Sequence, residues 1–358
     1  MDKMTVIKTI VAFLISGILS FILSPIAKRT AYKIGAIDVP KDDRRMHKKP
    51  IPRLGGLAVF FAFLVTVLLL VPMNRELQGI LLGAVIIVVL GVIDDSVSLP
   101  AMVKFVIQIV AALVVVYHGT RIDVISNVNV FSDTAYFSLG DWGIPVTVFW
   151  IVAITNAVNL IDGLDGLSVG VCTIASISLL VISALLSEFT LVVIMAALTG
   201  ACIGFLPYNI NPAKMFVGDT GATFLGFILA TMSIQGTFKT YAILSFAVPF
   251  LVLGLPIFDT AFAIIRRLLH GQSPMHPDRG HVHHRLIDMG FSQKQTVLIL
   301  YLISGILGIS AVLLTSSGAV RSLFFIVAFI IASIIAIKIY YTFLKRNGDK
   351  KDIDNSEE

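Results

Sequence analysis

Two amides and two carboxylates recur at three-residue intervals in Asn156-Ala157-Val158-Asn159-Leu160-Ile161-Asp162-Gly163-Leu164-Asp165-Gly166, at the end of an apolar run. Residues three apart on a helix share a face, so Asn159 and Asp162 belong on one side of a final turn. Gly163 and Gly166 then let the chain leave the helix. Carboxylates at a helix C-terminus face the negative end of the dipole, which a bound cation would relieve. Asp94-Asp95, ending an earlier apolar run, meet the same difficulty. As neighbours they also repel, which raises one pKa or recruits a metal. Magnesium suits such places, because it takes oxygen ligands, few protein carboxylates and substrate phosphates. The bland alternatives are Asp-Gly loop turns and a solvated turn before Pro100.

Two further clusters carry chemistry. Asp219 lies in Phe216-Val217-Gly218-Asp219-Thr220-Gly221, just before an apolar run. An Asp or Thr there also makes a good helix N-cap, and Phe216 taken alone reads as packing. No Gly-x-x-x-x-Gly-Lys-Ser/Thr stretch occurs in the chain, so ATP use is not indicated. The segment from Gly271 to Arg285 holds His276, His281, His283 and His284. The last three are too close together for an ordinary tetrahedral zinc site, and no Cys assists. The interleaved Arg279 and Arg285 point to an anion instead, since Arg recognises phosphate well; the alternative is a solvated basic loop. Asp259 reads as a partner for Arg266 or Arg267, without a catalytic role.

The elements that must position these residues are membrane helices. Of 358 residues 57% are hydrophobic and 14% charged, and the mean hydropathy is +0.93. That composition is an all-α polytopic membrane protein. Spans need about 20 apolar residues; we expect eleven, over 5–25, 55–73, 78–93, 102–118, 144–160, 168–186, 190–207, 221–236, 242–265, 296–315 and 322–343. The first run reads as a retained span, not a signal peptide. Residues 1–346 form one integral membrane domain, and 347–358 a charged tail. Cys172 and Cys202 lie inside apolar runs and suggest neither disulfide nor thiolate metal site. The polar stretch 119–143 could hold a short hairpin between Arg121 and Phe137.

Lys and Arg collect between 28 and 53, between 266 and 294, and in the tail. The positive-inside rule then puts these loops in the cytoplasm, the N-terminus outside and the C-terminus inside. Orientation also explains the net charge of +5, so no nucleic-acid partner is expected. Two crossings separate each acidic or histidine site from the next, which puts all of them on the cytoplasmic face. Acids for a divalent cation and bases for phosphates, in a membrane frame, suit phosphoryl transfer between a soluble and a lipid-soluble partner.

The motifs His-Lys-x-Pro-x-Pro-Arg-x-Gly-Gly at 47–56, Asp-Asp at 94–95, the Asn/Asp-Gly pattern at 156–166, Phe-x-Gly-Asp-x-Gly at 216–221 and His-x-His-His-Arg at 281–285 resemble those of the polyprenyl-phosphate N-acetylhexosamine-1-phosphate transferases. The resemblance covers about residues 30–295. It implies transfer of a sugar-1-phosphate from a UDP-sugar to undecaprenyl phosphate, with release of UMP. It implies Mg²⁺, with Mn²⁺ as the alternative ion, held near Asp219 with Asn159 as second ligand. It implies that Asp94 and Asp95 act on the lipid phosphate, with metal binding by that pair the alternative. Asp162 and Asp165 would serve catalysis or nucleotide binding, and Phe216 would lie against the uracil. Lys48, Asn156, Asn209, His281, His283, His284 and Arg285 would contact substrate.

Val282 interrupts the histidine run, which resembles the UDP-GlcNAc branch that begins wall teichoic acid linkage units in a bacterial plasma membrane. The implied partners are UDP-GlcNAc, undecaprenyl phosphate and membrane lipids, with a homodimer among the assemblies allowed. The competing readings are a related transferase for another UDP-sugar, such as the muramoyl-pentapeptide nucleotide, and a secondary transporter built on intramembrane acids.

Overall fold

The computed structural model describes residues 1–39, 50–126, 136–238, 247–271 and 280–316, with the single positions 326 and 333. Met1–Val312 form one compact unit. The second unit, Leu313–Glu358, is helical at its described residues. The first unit is built from α1 (Lys3–Ile34), α2 (Gly55–Leu70), α3 (Arg75–Val97), α4 (Ala101–Tyr117), α5 (Gly143–Leu160), α6 (Leu167–Leu185), α7 (Phe189–Asn209) and α8 (Gly218–Ser233). A π-turn, Ile234–Phe238, ends α8, and α9 (Ala247–Val252), α10 (Gly254–Leu269), α11 (Val282–Asp288) and α12 (Gln293–Ser316) follow.

The chain is an all-α polytopic membrane protein. Six described helices are long and apolar enough to cross a bilayer, and α2 and α4 are shorter apolar helices. Most expected spans match a helix closely. The expected span 242–265 differs: within its described part α9 and α10 are separated at Leu253, where Gly254 and Pro256 follow. Proline removes a backbone donor and glycine loosens the chain, so the run breaks although its hydropathy is continuous. The span expected over 322–343 lies outside the described residues, apart from 326 and 333.

Helix ends carry local signals. The Asn74 carboxamide accepts from Leu77 N–H at 2.7 Å to start α3, and α1 stops at Gly35, in the left-handed conformation. Two short antiparallel pairs complete the unit. β1 (Ile37–Asp38) pairs with β2 (Ile51–Pro52), and β3 (Val124–Ser126) with β4 (Tyr136–Ser138). The second pair is the hairpin expected between Arg121 and Phe137.

Lipid tails are as apolar as Leu, so helices associate here through close packing more than through water exclusion. The buried stripe of α1 is Ala12, Ser16, Ser20, Ser24, Ala27 and Ala31, all small, and it runs along α7 and α2. A Cβ at Gly204 would stand 2.1 Å from the Gly17 carbonyl oxygen. A Cβ at Gly56 would stand 2.1 Å from Gly221 N, and one at Gly91 2.3 Å from Thr220 Cα. Absent side chains thus let α2 and α3 touch the first turn of α8. Further along, Phe60 and Phe63 pack edge-on against Phe224. Trp150 of α5 donates to the Ser233 hydroxyl at 3.1 Å.

Candidate active site

Three helix ends and one loop bring five charged side chains together. Asp94 and Asp95 lie in the last turn of α3, Lys104 in the first turn of α4, Asp219 in the first turn of α8, and Arg53 just before α2. Lys104 Nζ is 2.7 Å from Asp94 Oδ2 and 3.3 Å from Asp219 Oδ2. Arg53 reaches Asp95 Oδ1 through Nε at 3.4 Å and Asp219 Oδ1 through Nη2 at 4.0 Å. Asp94 also accepts from Leu99 N–H at 2.6 Å, where the chain turns out of α3. Burial works against the Arg53 charge, but Asp95 and then Asp219 outweigh it and hold the guanidinium above its ordinary pKa.

The Asp95 side chain is fully buried. Its Oδ1 accepts the Asp219 N–H at 3.0 Å. Its Oδ2 accepts the Thr220 N–H at 3.0 Å and the Thr220 hydroxyl at 2.7 Å. Asp95 therefore caps α8 from another helix, satisfying amides that a helix start leaves unpaired. The adverse dipole at the end of α3 meets the favourable one at the start of α8. Gly218 permits this contact. Its φ is +71°, and a Cβ there would fall 1.8 Å from the Arg53 carbonyl oxygen.

A second group lies around the turn that leaves α5. Asp162 is half-buried and accepts a hydrogen bond from the Ser168 hydroxyl. Burial pushes its carboxyl up to about 7; the Ser168 bond opposes this and the nearby Asp219 charge adds to it. Arg53 is also near enough for its charge to act on Asp162, so the two groups share one electrostatic neighbourhood. The Asn159 carboxamide, half-buried one turn earlier, has no hydrogen-bond partner among the described residues.

The histidine helix closes over this turn. A Cβ on Gly163 would stand 2.3 Å from His283 Nε2, and that nitrogen is buried without a hydrogen-bond partner among the described residues. Burial, and then His284, push the His283 imidazole down to about 3, so it is neutral at physiological pH. His281 stacks on His283 with ring centroids 5.7 Å apart. Its Nδ1 lies 2.8 Å from Asp259 Oδ2, and Asp259 Oδ1 accepts the Val282 N–H at 2.7 Å. Asp259, on α10, thus anchors the start of α11; the sequence had suggested only Arg266 or Arg267 as its partners.

Other expected residues sit at the edges. Asp165 Oδ2 accepts from Asn211 Nδ2 and from Ala213 N–H, both at 2.9 Å, tying its loop to the segment before α8. Asn209 donates to the Met215 carbonyl at 3.1 Å, while its Oδ1 is buried without a partner among the described residues. Phe216 is half-buried, and its backbone pairs with Pro52 and Gly55. Asn156 differs from the expectation of a substrate contact. Both hydrogens of its amide are engaged, with Gln108 Oε1 at 2.6 Å and the Val152 carbonyl at 2.8 Å. Arg285 is exposed and lies over the Phe262 ring at 5.1 Å. His284 is half-buried, its ring 4.3 Å from that of His283. Lys48 lies outside the described residues.

Sequence reasoning left out several members of this arrangement. Gln108 is 2% exposed in the middle of an apolar helix, and that polarity was its only signal. Tyr301 of α12 donates to the Gly166 carbonyl at 2.5 Å and packs on Gly170, which nothing in the motif spacing marks.

Comparison with known proteins gives one family and many relatives. The family described as glycosyl transferase family 4 matches residues 77–237. The probable undecaprenyl-phosphate N-acetylglucosaminyl 1-phosphate transferase of Bacillus subtilis is 45% identical over 331 residues, covering 91% of this chain and 90% of its own. The decaprenyl-phosphate N-acetylglucosaminephosphotransferase of Mycolicibacterium smegmatis is 33% identical, over 83% of this chain and 80% of its own. The undecaprenyl-phosphate alpha-N-acetylglucosaminyl 1-phosphate transferase of Thermotoga maritima is 29% identical, over 94% and 98%.

Proposed function

Because the chain belongs to glycosyl transferase family 4, the polyprenyl-phosphate N-acetylhexosamine-1-phosphate transferases, we propose that it transfers GlcNAc-1-phosphate from UDP-GlcNAc to undecaprenyl phosphate. A lipid phosphate oxygen attacks the sugar-bearing phosphorus of the donor, and the bond from that phosphorus to the bridging oxygen breaks. Undecaprenyl-diphospho-GlcNAc forms and UMP leaves. One phosphoanhydride replaces another, so no ATP is consumed. The observation that carries this reading is the 45% identity to the Bacillus subtilis relative across almost the whole of both chains. The acid–base cluster supplies what such a transfer requires, positioning and charge compensation for two anions.

Among the described residues, Lys104 and Arg53 are two cations placed to serve the phosphates, and each is already oriented by an aspartate. Asp95 acts as a positioning residue, because both its oxygens hold the start of α8. Asp162, with a carboxyl near neutrality, is suited to take the proton of the lipid phosphate. His283, held neutral against Gly163, supports the Asp162 turn.

The donor set fits Mg²⁺, and Mn²⁺ equally. Among the described residues no three His, Cys, Asp or Glu side chains converge on one point. A hard cation of this kind needs only one or two protein oxygens, with substrate phosphates and water completing its shell. Asp219 and the unpartnered Asn159 oxygen would hold it. When bound, it would neutralise charge on the pyrophosphate. The site reads as cytoplasmic, in a bacterial plasma membrane, and the product as the first intermediate of a wall polymer such as teichoic acid.

The test is UMP release by the purified protein given UDP-GlcNAc, undecaprenyl phosphate and Mg²⁺. Absence of UMP, or full activity in Asp219→Asn, overturns the reading. Competition among UDP-sugars in the same assay separates UDP-GlcNAc from the muramoyl-peptide nucleotide.

A further inference from the structure

We propose that Gln108 is a positioning residue that sets the spacing between the two groups of the site, through a reciprocal amide pair with Asn156. The inference rests on the transfer reaction proposed above. Gln108 lies on α4, one helical turn beyond Lys104 and on the same face. Asn156 lies on α5, one turn before Asn159. The Asn156 amide donates to Gln108 Oε1 at 2.6 Å, and the Gln108 amide faces Asn156 Oδ1 at 3.4 Å.

The pair therefore joins the helix that carries the ammonium of Lys104 to the helix that carries Asn159 and leads to Asp162. Gln108 is 2% exposed. A buried amide without its partner is costly, so one arrangement of the two helices is favoured over slid alternatives. Asn156 needs no substrate to satisfy its donors, since the Val152 carbonyl takes the second hydrogen at 2.8 Å. Its place in the Asn-x-x-Asn-x-x-Asp pattern is thus explained by register between helices. Small displacements of reacting groups cost large factors in rate, so an error in this register falls on turnover more than on binding.

The experiment uses full-length protein in lipid nanodiscs, with kcat and KM measured for both substrates. Gln108→Leu removes the amide at similar volume. It is expected to lower kcat on the order of 10-fold or more, with both KM values within about threefold of wild type. Gln108→Asn breaks the pair by shortening it, and adding Asn156→Gln restores its combined length. The double variant is expected to regain most of the kcat lost by Gln108→Asn alone. Unchanged kcat in Gln108→Leu, loss confined to KM, or no recovery in the double variant overturns the proposal. Should Gln108→Leu not fold, the comparison of Gln108→Asn with the double variant decides alone. A wild-type protein that releases no UMP overturns the transfer reading instead, so the two failures are distinct.

Discussion

The group around Asp219 and the group around Asp162 lie in the same neighbourhood but are built differently. In the first, every carboxylate has cationic or amide partners: Lys104 with Asp94 and Asp219, Arg53 with Asp95 and Asp219, and the start of α8 with Asp95. In the second, Asp162 has the hydroxyl of Ser168, and neither the Asn159 carboxamide nor His283 Nε2 has a hydrogen-bond partner among the described residues. Buried polar groups are normally satisfied. The first group is therefore organised by its own internal partners, and the second keeps polar atoms that no described residue engages.

The strongest way to break this contrast is to remove charge from the organised group. Asp219→Asn is expected to lower UMP release on the order of 100-fold or more, as loss of a principal electrostatic element does. Asp95→Asn tests organisation itself. It leaves Arg53 with Asp219 alone and one buried α8 donor unpaired, and should cost about 2 kcal/mol of stability, read as thermal unfolding in detergent. If Asp95→Asn instead leaves stability unchanged and abolishes turnover, its oxygens act on substrate and the contrast fails.

Smaller effects sharpen the other side. Gly163→Ala places a methyl 2.3 Å from His283 Nε2. It should displace the imidazole and lower kcat roughly tenfold with little change in stability, consistent with a misplaced supporting group. The smallest effect is in pH dependence. The Asp162 carboxyl is neutral below about 7 and charged above, so a rate that needs its carboxylate rises with pH through that range and then levels. Ser168→Ala removes the bond that opposes the upward shift, and should move this limb to higher pH. A limb that stays in place would detach Asp162 from the rate.

The contrast was partly legible in the sequence. Polarity at the end of apolar runs identified Asp94, Asp95, Asp162 and Asp219, and hydropathy located most helices. Partnerships between distant segments were not legible. Asp95 could be recognised as an acid beside an acid, but its service to Asp219 and Thr220, more than 120 residues away, follows from helix packing. Asp259 looked like a companion for nearby arginines, whereas its two oxygens meet His281 and Val282, more than 20 residues further along the chain. Asn156 shared the spacing of its neighbours, yet its donors meet Gln108 and its own helix. Spacing reports which residues share a face; it does not report what that face meets. The division of the expected 242–265 span was visible only as Gly254 and Pro256 in an otherwise continuous apolar run.

The commitment of both Asp95 oxygens also bears on inhibitor design. A basic drug-like compound aimed at the adjacent acids would meet no open chelating pair, because Asp94 is itself buried and already shared with a lysine. Selective affinity would come from scaffolds that carry a neutral donor toward the Asn159 oxygen, while leaving the ammonium and guanidinium neighbours undisturbed.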